Sequence, residues 1–232
     1  MKKVMVWLVL PVLLSLLIFR ECMAGLVIEQ VMKDKDGMAS EVKIYFSGER
    51  LRTDHLQGGL TTIMDLREDR MVMIDHRSRS YVEVKFSQWE KEISGRLKQE
   101  GPAISPKTRK MTVRKTDETA TINRFKVEKI EIFAGGELIE ESWVTRDVEM
   151  EGIDKVMERA ARGFEMNQEG REIHDKLKAY GFPVLVRDYA MSHGLGPVDV
   201  LEVKKIEKRE LKDELFAPPA GYKKVIPEPP KK

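Results

Sequence analysis

Short runs of alternating apolar and polar residues, separated by turns that contain glycine or charged residues, fill the chain from residue 25 to residue 86. In one such run Val42, Ile44 and Phe46 fall on the same side of an extended chain. A period of two indicates half-buried strands, and closely spaced turns favour antiparallel hairpins without crossover helices. The stretch therefore predicts an antiparallel meander built from GLVIEQVMK, SEVKIYFSG, RLRTDHL, LTTIMDL, RMVMID and RSYVEVKF.

One strand departs from this alternation, because Met71, Val72, Met73 and Ile74 are all apolar. A strand that is apolar on both sides must be covered on both faces. Amphipathic helices are the expected cover, since three segments carry an apolar stripe at helical spacing. These segments are FSQWEKEISGRLKQEG, which begins with a capping box, IDKVMERAARGFEMN and EGREIHDKLKAYGFP.

The second half of the chain predicts a further meander. It consists of KMTVRKTD, ETATINRFKVEKIEIF and ELIEESWVTRD, with a hairpin tip at Ala134-Gly135-Gly136, and is followed by strands in PVLVRDYAM and VDVLEVKKIEKREL. The last segment, FAPPAGYKKVIPEPPKK, holds five of the ten prolines, so we expect it to stay out of the sheet and run over the surface. The prediction is a single domain at 25–216 with a proline-rich tail at 217–232.

Residues 1–24 have the layout of a secretory signal peptide, with Lys2 and Lys3 before an apolar stretch from Val4 to Phe19. Small residues at Cys22 and Ala24 suit a signal peptidase, so we expect cleavage after Ala24 and a periplasmic mature protein. Removal of the segment subtracts three basic and one acidic residue from totals of 41 and 39, which leaves 38 of each. Such a balance argues against nucleic-acid binding, which needs excess Lys and Arg.

Cys22 is the only cysteine, and its fate has alternatives. Lipid attachment at Cys22 requires small residues directly before it, whereas Phe19, Arg20 and Glu21 stand there, so lipidation is the minor alternative to cleavage. An uncleaved N-terminal anchor is a second alternative. If cleavage follows Ala24, the mature chain has no thiol and therefore no disulfide or thiolate metal site.

Catalytic and metal-binding patterns are missing from the sequence, so no enzyme, no cofactor and no metal site is predicted. The four histidines, His55, His76, His174 and His193, do not form a pair at the i, i+4 spacing of helical zinc sites. A hydrolase that uses Asp75 and His76 is a third-ranked alternative. Their place at a predicted hairpin favours turn chemistry over a general base held by a carboxylate.

The order of the elements and several motifs resemble the LolA/LolB-like superfamily of periplasmic proteins, and within it the uncharacterised branch of exported domains. The motifs are YFSGERLRTD, MIDHRSRSYVEV, ESWVTRDV and FAPPAGY, spread over about residues 25 to 224. The resemblance implies an α+β fold in which an unclosed antiparallel β-barrel, a strongly curved sheet, has amphipathic helices over its concave face. In the characterised carriers, that cavity receives lipoprotein acyl chains.

Flexible methionines and aromatic residues in the sheet and its helical cover suit a site for a variable apolar ligand, although such residues also simply fill a core. We predict a non-catalytic binding protein that holds a lipid or acyl-bearing ligand between sheet and helices, with only transient membrane contact. The alternative is an envelope protein-interaction module without a small ligand, which would use a sheet edge or the tail. The predicted ligand-lining residues are Met64, Met71, Met73, Trp89, Ile93, Met157 and Phe164.

Overall fold

A single large sheet dominates the computed structural model. The residues that the structure describes are 25–34, 36–99, 109–149, 153–163, 168–189 and 196–226. The strands are β1 Gly25–Lys33, β2 Ala39–Ser47, β3 Arg50–His55, β4 Leu60–Asp65, β5 Arg70–Asp75, β6 Ser80–Lys85, β7 Met111–Ile122, β8 Phe125–Ala134, β9 Glu137–Thr145, β10 Phe182–Asp188, β11 Val198–Arg209 and β12 Lys223–Lys224. The helices are α1 Phe86–Gln99, α2 Ile153–Gly163, α3 Gln168–Leu177 and a 3-10 helix at Asp213–Phe216.

The strands lie in the order β12-β6-β5-β4-β3-β2-β1-β11-β10-β9-β8-β7. All neighbouring pairs are antiparallel except β12 with β6, which run parallel. Among the described strands, β12 and β7 are the two edges and do not pair with each other, so the sheet is not closed. The predicted six-stranded first meander and the three helices are confirmed.

The predicted division of the second meander is wrong at its first hairpin. The sequence suggested a break near Asp117, but β7 continues to Ile122 and turns at Asn123 and Arg124, where φ is 47° and 76°. Asn tolerates this left-handed conformation, which two-residue hairpins require. The charged stretch before the turn is a β-bulge, because the register with β8 shifts between Lys115 and Thr119.

The two-faced character of β5 is confirmed by the packing. Met71 lies in one buried cluster, whereas Val72 and Ile74 lie in another, as alternation along a strand demands. The first cluster also contains Ile153 and Val156 of α2. The second cluster contains no helical cover of the predicted kind among the described residues: residues from the C-terminal segment Leu211–Tyr222 pack there instead, with Phe216 only 1% exposed.

The C-terminal segment therefore corrects the prediction that the tail stays out of the sheet. Lys223 and Lys224 pair with Ser80 and Tyr81 of the edge strand β6. The prolines at 218 and 219 come before the paired residues. Their lack of N–H groups therefore does not remove any hydrogen bond from the pairing with β6. The proline-rich composition concealed a segment that is built into the fold.

The helix α3 packs on a third cluster at the far end of the sheet. Its Leu177 is buried with Ile130 and Ile132 of β8, while Val127 of the same strand belongs to the first cluster. Positions three apart in a strand point to opposite faces, so at β8 the third cluster lies on the opposite side of the sheet from the first. Of the described helices, none is long and apolar enough to cross a membrane.

Candidate functional site

A cavity of about 230 Å³ lies between α2 and the strands β2, β3 and β4. Most of its lining is apolar. Its lining residues are Ile44, Leu51, Thr53, His55, Thr62, Met64, Met157 and Ala160.

The floor of the cavity follows from the register of three strands. Because β2, β3 and β4 pair without a bulge, partners line up across the sheet in rows. The deepest row is Phe46, Leu51 and Met64, all of them buried. The next row is Ile44, Thr53 and Thr62, and the row at the strand ends is Val42, His55 and Leu60. The side chains on this face thus change from buried and apolar to polar and more exposed along β3.

The roof of the cavity is α2. Val156 of this helix is fully buried and Ile153 is 7% exposed, so the first turns pack tightly on the sheet. One turn further along, Met157 and Ala160 line the cavity. Ala160 presents only a single methyl group to the cavity, whereas protein interiors are otherwise closely packed. The small size of this side chain therefore contributes to the unfilled space.

Two ion pairs connect α2 to the elements around it. Lys155 pairs with Glu49 in the turn between β2 and β3. Arg159 lies 3.1 Å from a carboxylate oxygen of Glu90 on α1 and 5.0 Å from the ring centre of Phe86. Pairs that remain partly exposed to solvent contribute about 0 to 1 kcal/mol each. Apolar burial, and not these ion pairs, is what mainly holds α2 against the sheet.

Of the seven predicted lining residues, Met64 and Met157 line this cavity. Met71 is buried directly beside Met64 in the next strand, and Met73 and Trp89 pack against the same cluster. Ile93 is buried without lining the cavity, and Phe164 lies outside the described residues. The prediction missed the other six lining residues, which are Ile44, Leu51, Thr53, His55, Thr62 and Ala160. Exact strand register would have revealed the five strand residues among them, since all lie on the same face as Met64.

On the opposite face, residues of β3 and β5 make polar contacts with the C-terminal segment. Arg52 donates to the carbonyl oxygen of Leu215 at 2.7 Å, and Arg70 donates to that of Phe216 at 3.2 Å. Arg50 pairs with Asp213 at 2.8 Å and lies 4.3 Å from the ring centre of Phe216. These contacts anchor both the backbone and the aromatic side chain of the segment.

A chain of hydrogen bonds extends this anchoring to Tyr222. Thr61 donates to Asp54 at 2.6 Å, so its oxygen accepts from Nε2 of His76 at 2.9 Å. In the neutral ring, Nδ1 of His76 then accepts from the Tyr222 hydroxyl, also at 2.9 Å. His76 thereby joins the sheet to the C-terminal segment.

The suggested pairing of Asp75 with His76 is not formed. The Asp75 carboxylate accepts the backbone N–H groups of Arg77 at 2.8 Å and Ser78 at 3.3 Å. This geometry is that of a turn-stabilising carboxylate. In the parts of the chain that the structure describes, no group of three or more His, Cys, Asp or Glu residues is arranged to hold a metal ion.

A partly buried ionic cluster lies in the other half of the sheet. Nζ of Lys129 lies 2.9 Å from Glu118, 3.1 Å from Glu141 and 3.7 Å from Glu131. The hydrogen bond to Glu118, followed by that to Glu141, raises the pKa of Lys129 above its ordinary value despite burial. Since its carboxylates already surround one ammonium group, this cluster is satisfied within the fold.

Two larger grooves are more open to solvent and have charged residues in their walls. One, of about 460 Å³, runs beside the C-terminal segment, where Arg52, Arg209 and Glu214 are among the lining residues. The other, of about 610 Å³, lies near the end of β7 and β8 and is lined in part by Lys126 and Arg146. Small-molecule sites are typically concave, mostly apolar and able to enclose most of the ligand. The cavity under α2, which is more enclosed and has no charged lining residue among those described, is therefore the better candidate.

Comparisons with known proteins give a family and distant structural likenesses. The model of a family described as a domain of unknown function (DUF4412) matches residues 25–222. An uncharacterised conserved protein from Thermus thermophilus aligns with a TM-score of 0.48 and 9% identity, over 88% of this chain and 91% of that chain. A structure of PNGF-II aligns with a TM-score of 0.37 and 10% identity, over 88% of this chain and 31% of that chain. A search of curated proteins finds no match.

Proposed function

We propose that this chain, which belongs to the DUF4412 family, is an exported, non-catalytic protein that binds an acyl-bearing or similar apolar ligand between α2 and the sheet. The observation that carries the proposal is the cavity of about 230 Å³ under Ala160. A void lined by Met64 and Met157 suits a variable apolar ligand, because methionine side chains adapt their shape at little cost.

The cavity size limits what is enclosed. Its volume of about 230 Å³ is slightly below the range of roughly 300 to 1,000 Å³ that is typical of drug-sized ligands. One water molecule occupies about 30 Å³ of liquid, so the space corresponds to on the order of eight non-hydrogen atoms. A single short acyl chain fits this space better than a complete two-chain lipid.

The resemblance of the sequence to the LolA/LolB-like superfamily supports the same proposal. In that reading the sheet is strongly curved, α1 and α2 cover its concave side, and lipid or lipoprotein acyl chains are the ligands. The signal-like segment at 1–24 supports export to the periplasm with cleavage after Ala24. Intact-mass measurement tests this part, since a chain that starts at Gly25 and one acylated at Cys22 differ clearly in mass.

Filling the cavity tests the binding proposal directly. In Ala160→Leu the larger side chain occupies the space above Thr53 and Thr62, so saturable uptake of a fluorescent fatty acid should fall at least tenfold. Ala220→Leu is the matched control, because Ala220 is exposed in the C-terminal segment on the other side of the sheet. No saturable uptake by the wild-type protein, or equal uptake by wild type and Ala160→Leu, contradicts the proposal.

A protein-interaction module is the second candidate function. Val225 and Ile226 are 42% and 89% exposed, and they follow directly on the short edge strand β12. Such apolar residues at a sheet edge suit docking of an extended partner segment. Replacing both with serine should abolish capture of an envelope partner and leave uptake of the fatty acid unchanged. Loss of fatty-acid uptake in this variant would contradict the proposal that the partner and the fatty acid bind at separate surfaces.

A further inference from the structure

Three of the residues that line the cavity carry hydrogen-bonding groups. They are Thr53, His55 and Thr62. Within the described parts of the chain, none of the three makes a side-chain hydrogen bond or an ion pair. Their polar atoms are therefore available to a ligand that enters the cavity.

The register places these groups together at one end of the cavity. Thr53 and Thr62 are directly opposite each other on β3 and β4, where side chains of paired residues lie about 5 Å apart. His55 follows Thr53 by two residues, on the same face and roughly 7 Å further along the strand. Leu51 lies the same distance in the other direction, at the buried end. The cavity is thus apolar at its closed end and polar at its exposed end.

The chemistry of the polar end restricts the head group of a ligand. None of the described lining residues is Lys, Arg, Asp or Glu. A phosphate head would require Arg or Lys, which bind it through charge and paired donors. Two hydroxyl groups and an imidazole instead suit a small group that offers oxygen acceptors and carries at most one charge.

We infer that the cavity recognises the carboxyl end of a single acyl chain, with the carboxyl or ester oxygens at Thr53, Thr62 and His55 and the chain directed towards Leu51 and Met64. The inference rests on the proposed function, since it names the ligand class and orientation for the same site. Free fatty acids and ester-linked acyl groups share these oxygens. Both are sources of the same recognition chemistry.

Displacement of the neutral fluorophore N-phenyl-1-naphthylamine from the mature protein tests this inference. The competing probes are octanoate, methyl octanoate and octyl phosphate. We expect octanoate or its methyl ester to compete at least tenfold better than octyl phosphate. Equal competition by octanoate and its ester indicates an ester-linked source, and a clear preference for octanoate indicates a free acid.

The double variant Thr53→Val/Thr62→Val removes both hydroxyl groups and keeps the shape. It should weaken octanoate binding about tenfold or more, because each lost hydrogen bond is worth roughly a factor of five. Binding of the fluorophore itself should persist. Thr112→Val is the matched control, since Thr112 is exposed on β7 at the far edge of the sheet. His55→Ala, at an exposed position, tests the third group even if the double variant folds poorly.

The outcomes separate this inference from the proposed function. If Ala160→Leu abolishes fluorophore binding while the threonine and histidine variants bind octanoate as the wild type does, the head-group assignment is wrong and the apolar site stands. Stronger competition by octyl phosphate than by octanoate also overturns the assignment. If Ala160→Leu leaves fluorophore binding unchanged, the proposed site itself is wrong.

Discussion

Buried clusters lie on both faces of the strands β2 to β5, but the two clusters are built differently. On one face the C-terminal segment inserts Phe216 and accepts hydrogen bonds from Arg52 and Arg70 to its backbone. On the other face α2 contributes apolar side chains and leaves a cavity beneath Ala160. We call these the tail face and the helix face.

This contrast indicates which face of the sheet can bind a ligand. A cover fixed through its backbone carbonyls and a large aromatic side chain leaves little freedom, because each lost contact exposes or orphans a buried group. A helix that rests on apolar side chains and partly exposed ion pairs can accommodate a ligand at lower cost. The tail face therefore supplies stability, and the helix face is where we place binding.

Phe216→Ala should show the largest effect. Phe216 is 1% exposed, and removal of a buried phenylalanine side chain costs about 3 to 5 kcal/mol. The free energy of unfolding, measured by urea denaturation, should fall by that amount. Ile226→Ala, ten residues further along the chain and 89% exposed, should change it by less than about 0.5 kcal/mol. Equal effects of the two variants would show that the tail face is not packed as described.

The next largest effect on the free energy of unfolding should come from removal of a charged side chain, and it should be larger on the tail face than on the helix face. Arg52→Met leaves the Leu215 carbonyl without its donor and removes one of the two donors to the Asp54 carboxylate, so we expect a loss of about 2 kcal/mol. Lys155→Met breaks the partly exposed pair with Glu49 on the helix face and should cost no more than about 0.5 kcal/mol. Chemical denaturation of both variants measures the contrast. If Lys155→Met proves the more damaging, the comparison is reversed.

Removal of the Tyr222 hydroxyl should lower the stability of the fold moderately. Tyr222→Phe keeps the ring but leaves Nδ1 of His76 without its partner, at a cost of about 1 kcal/mol. Tyr81→Phe is the matched control, because the Tyr81 side chain packs in the same cluster without a hydrogen bond to any described residue. Thermal denaturation should distinguish the two variants. Indistinguishable midpoints would mean that the bond to His76 adds nothing.

Ala160→Leu should instead raise the stability of the ligand-free protein. Cavity-filling substitutions commonly stabilise by about 0.5 to 2 kcal/mol, and here we expect the lower part of that range. The melting temperature of the ligand-free protein should rise slightly, while that of Ala220→Leu should not change. Strong destabilisation by Ala160→Leu would indicate that the space above Thr53 and Thr62 is already filled.

The smallest effect concerns a residue away from both faces. Burial raises the pKa of Glu140 in β9 above its ordinary value of 4.5, and the nearby Asp188 adds to this, although Ser142 donates a hydrogen bond that opposes it. The folded state then binds more protons than the unfolded state above pH 4.5, so stability falls as pH rises through this window. Glu140→Gln should flatten this slope and leave ligand binding unchanged. An unaltered slope would contradict the assignment.

Much of the fold follows from the sequence, because alternation and turn chemistry determine the first six strands almost residue by residue. The tail face does not follow from it. Its hydrogen bonds join arginine side chains to backbone carbonyls more than 140 residues away in the sequence. Because every residue has a backbone carbonyl, the pattern of side chains cannot show which carbonyl will accept. The proline-rich composition also concealed the buried Phe216.

The candidate site was predictable only in part. Met64 and Met157 were identified from their residue type and their place in a strand and a helix. Thr53, Thr62 and His55 required exact pairing of β3 with β4. Ala160 could not be identified from the sequence, because a small residue in an amphipathic helix is usually part of the core. Only the packing shows that the space next to this side chain is unfilled. A cavity is a property of packing that no local pattern encodes.

Methyl NMR of the protein with labelled methionines provides a direct test of ligand binding on the helix face. Met64 and Met157 line the cavity, whereas Met38 is 66% exposed in the hairpin between β1 and β2 and serves as an internal reference. On titration with octanoate, the methyl signals of Met64 and Met157 should shift saturably while that of Met38 stays in place. If the two cavity signals do not move, or all three move alike without saturation, the helix face does not bind an acyl ligand.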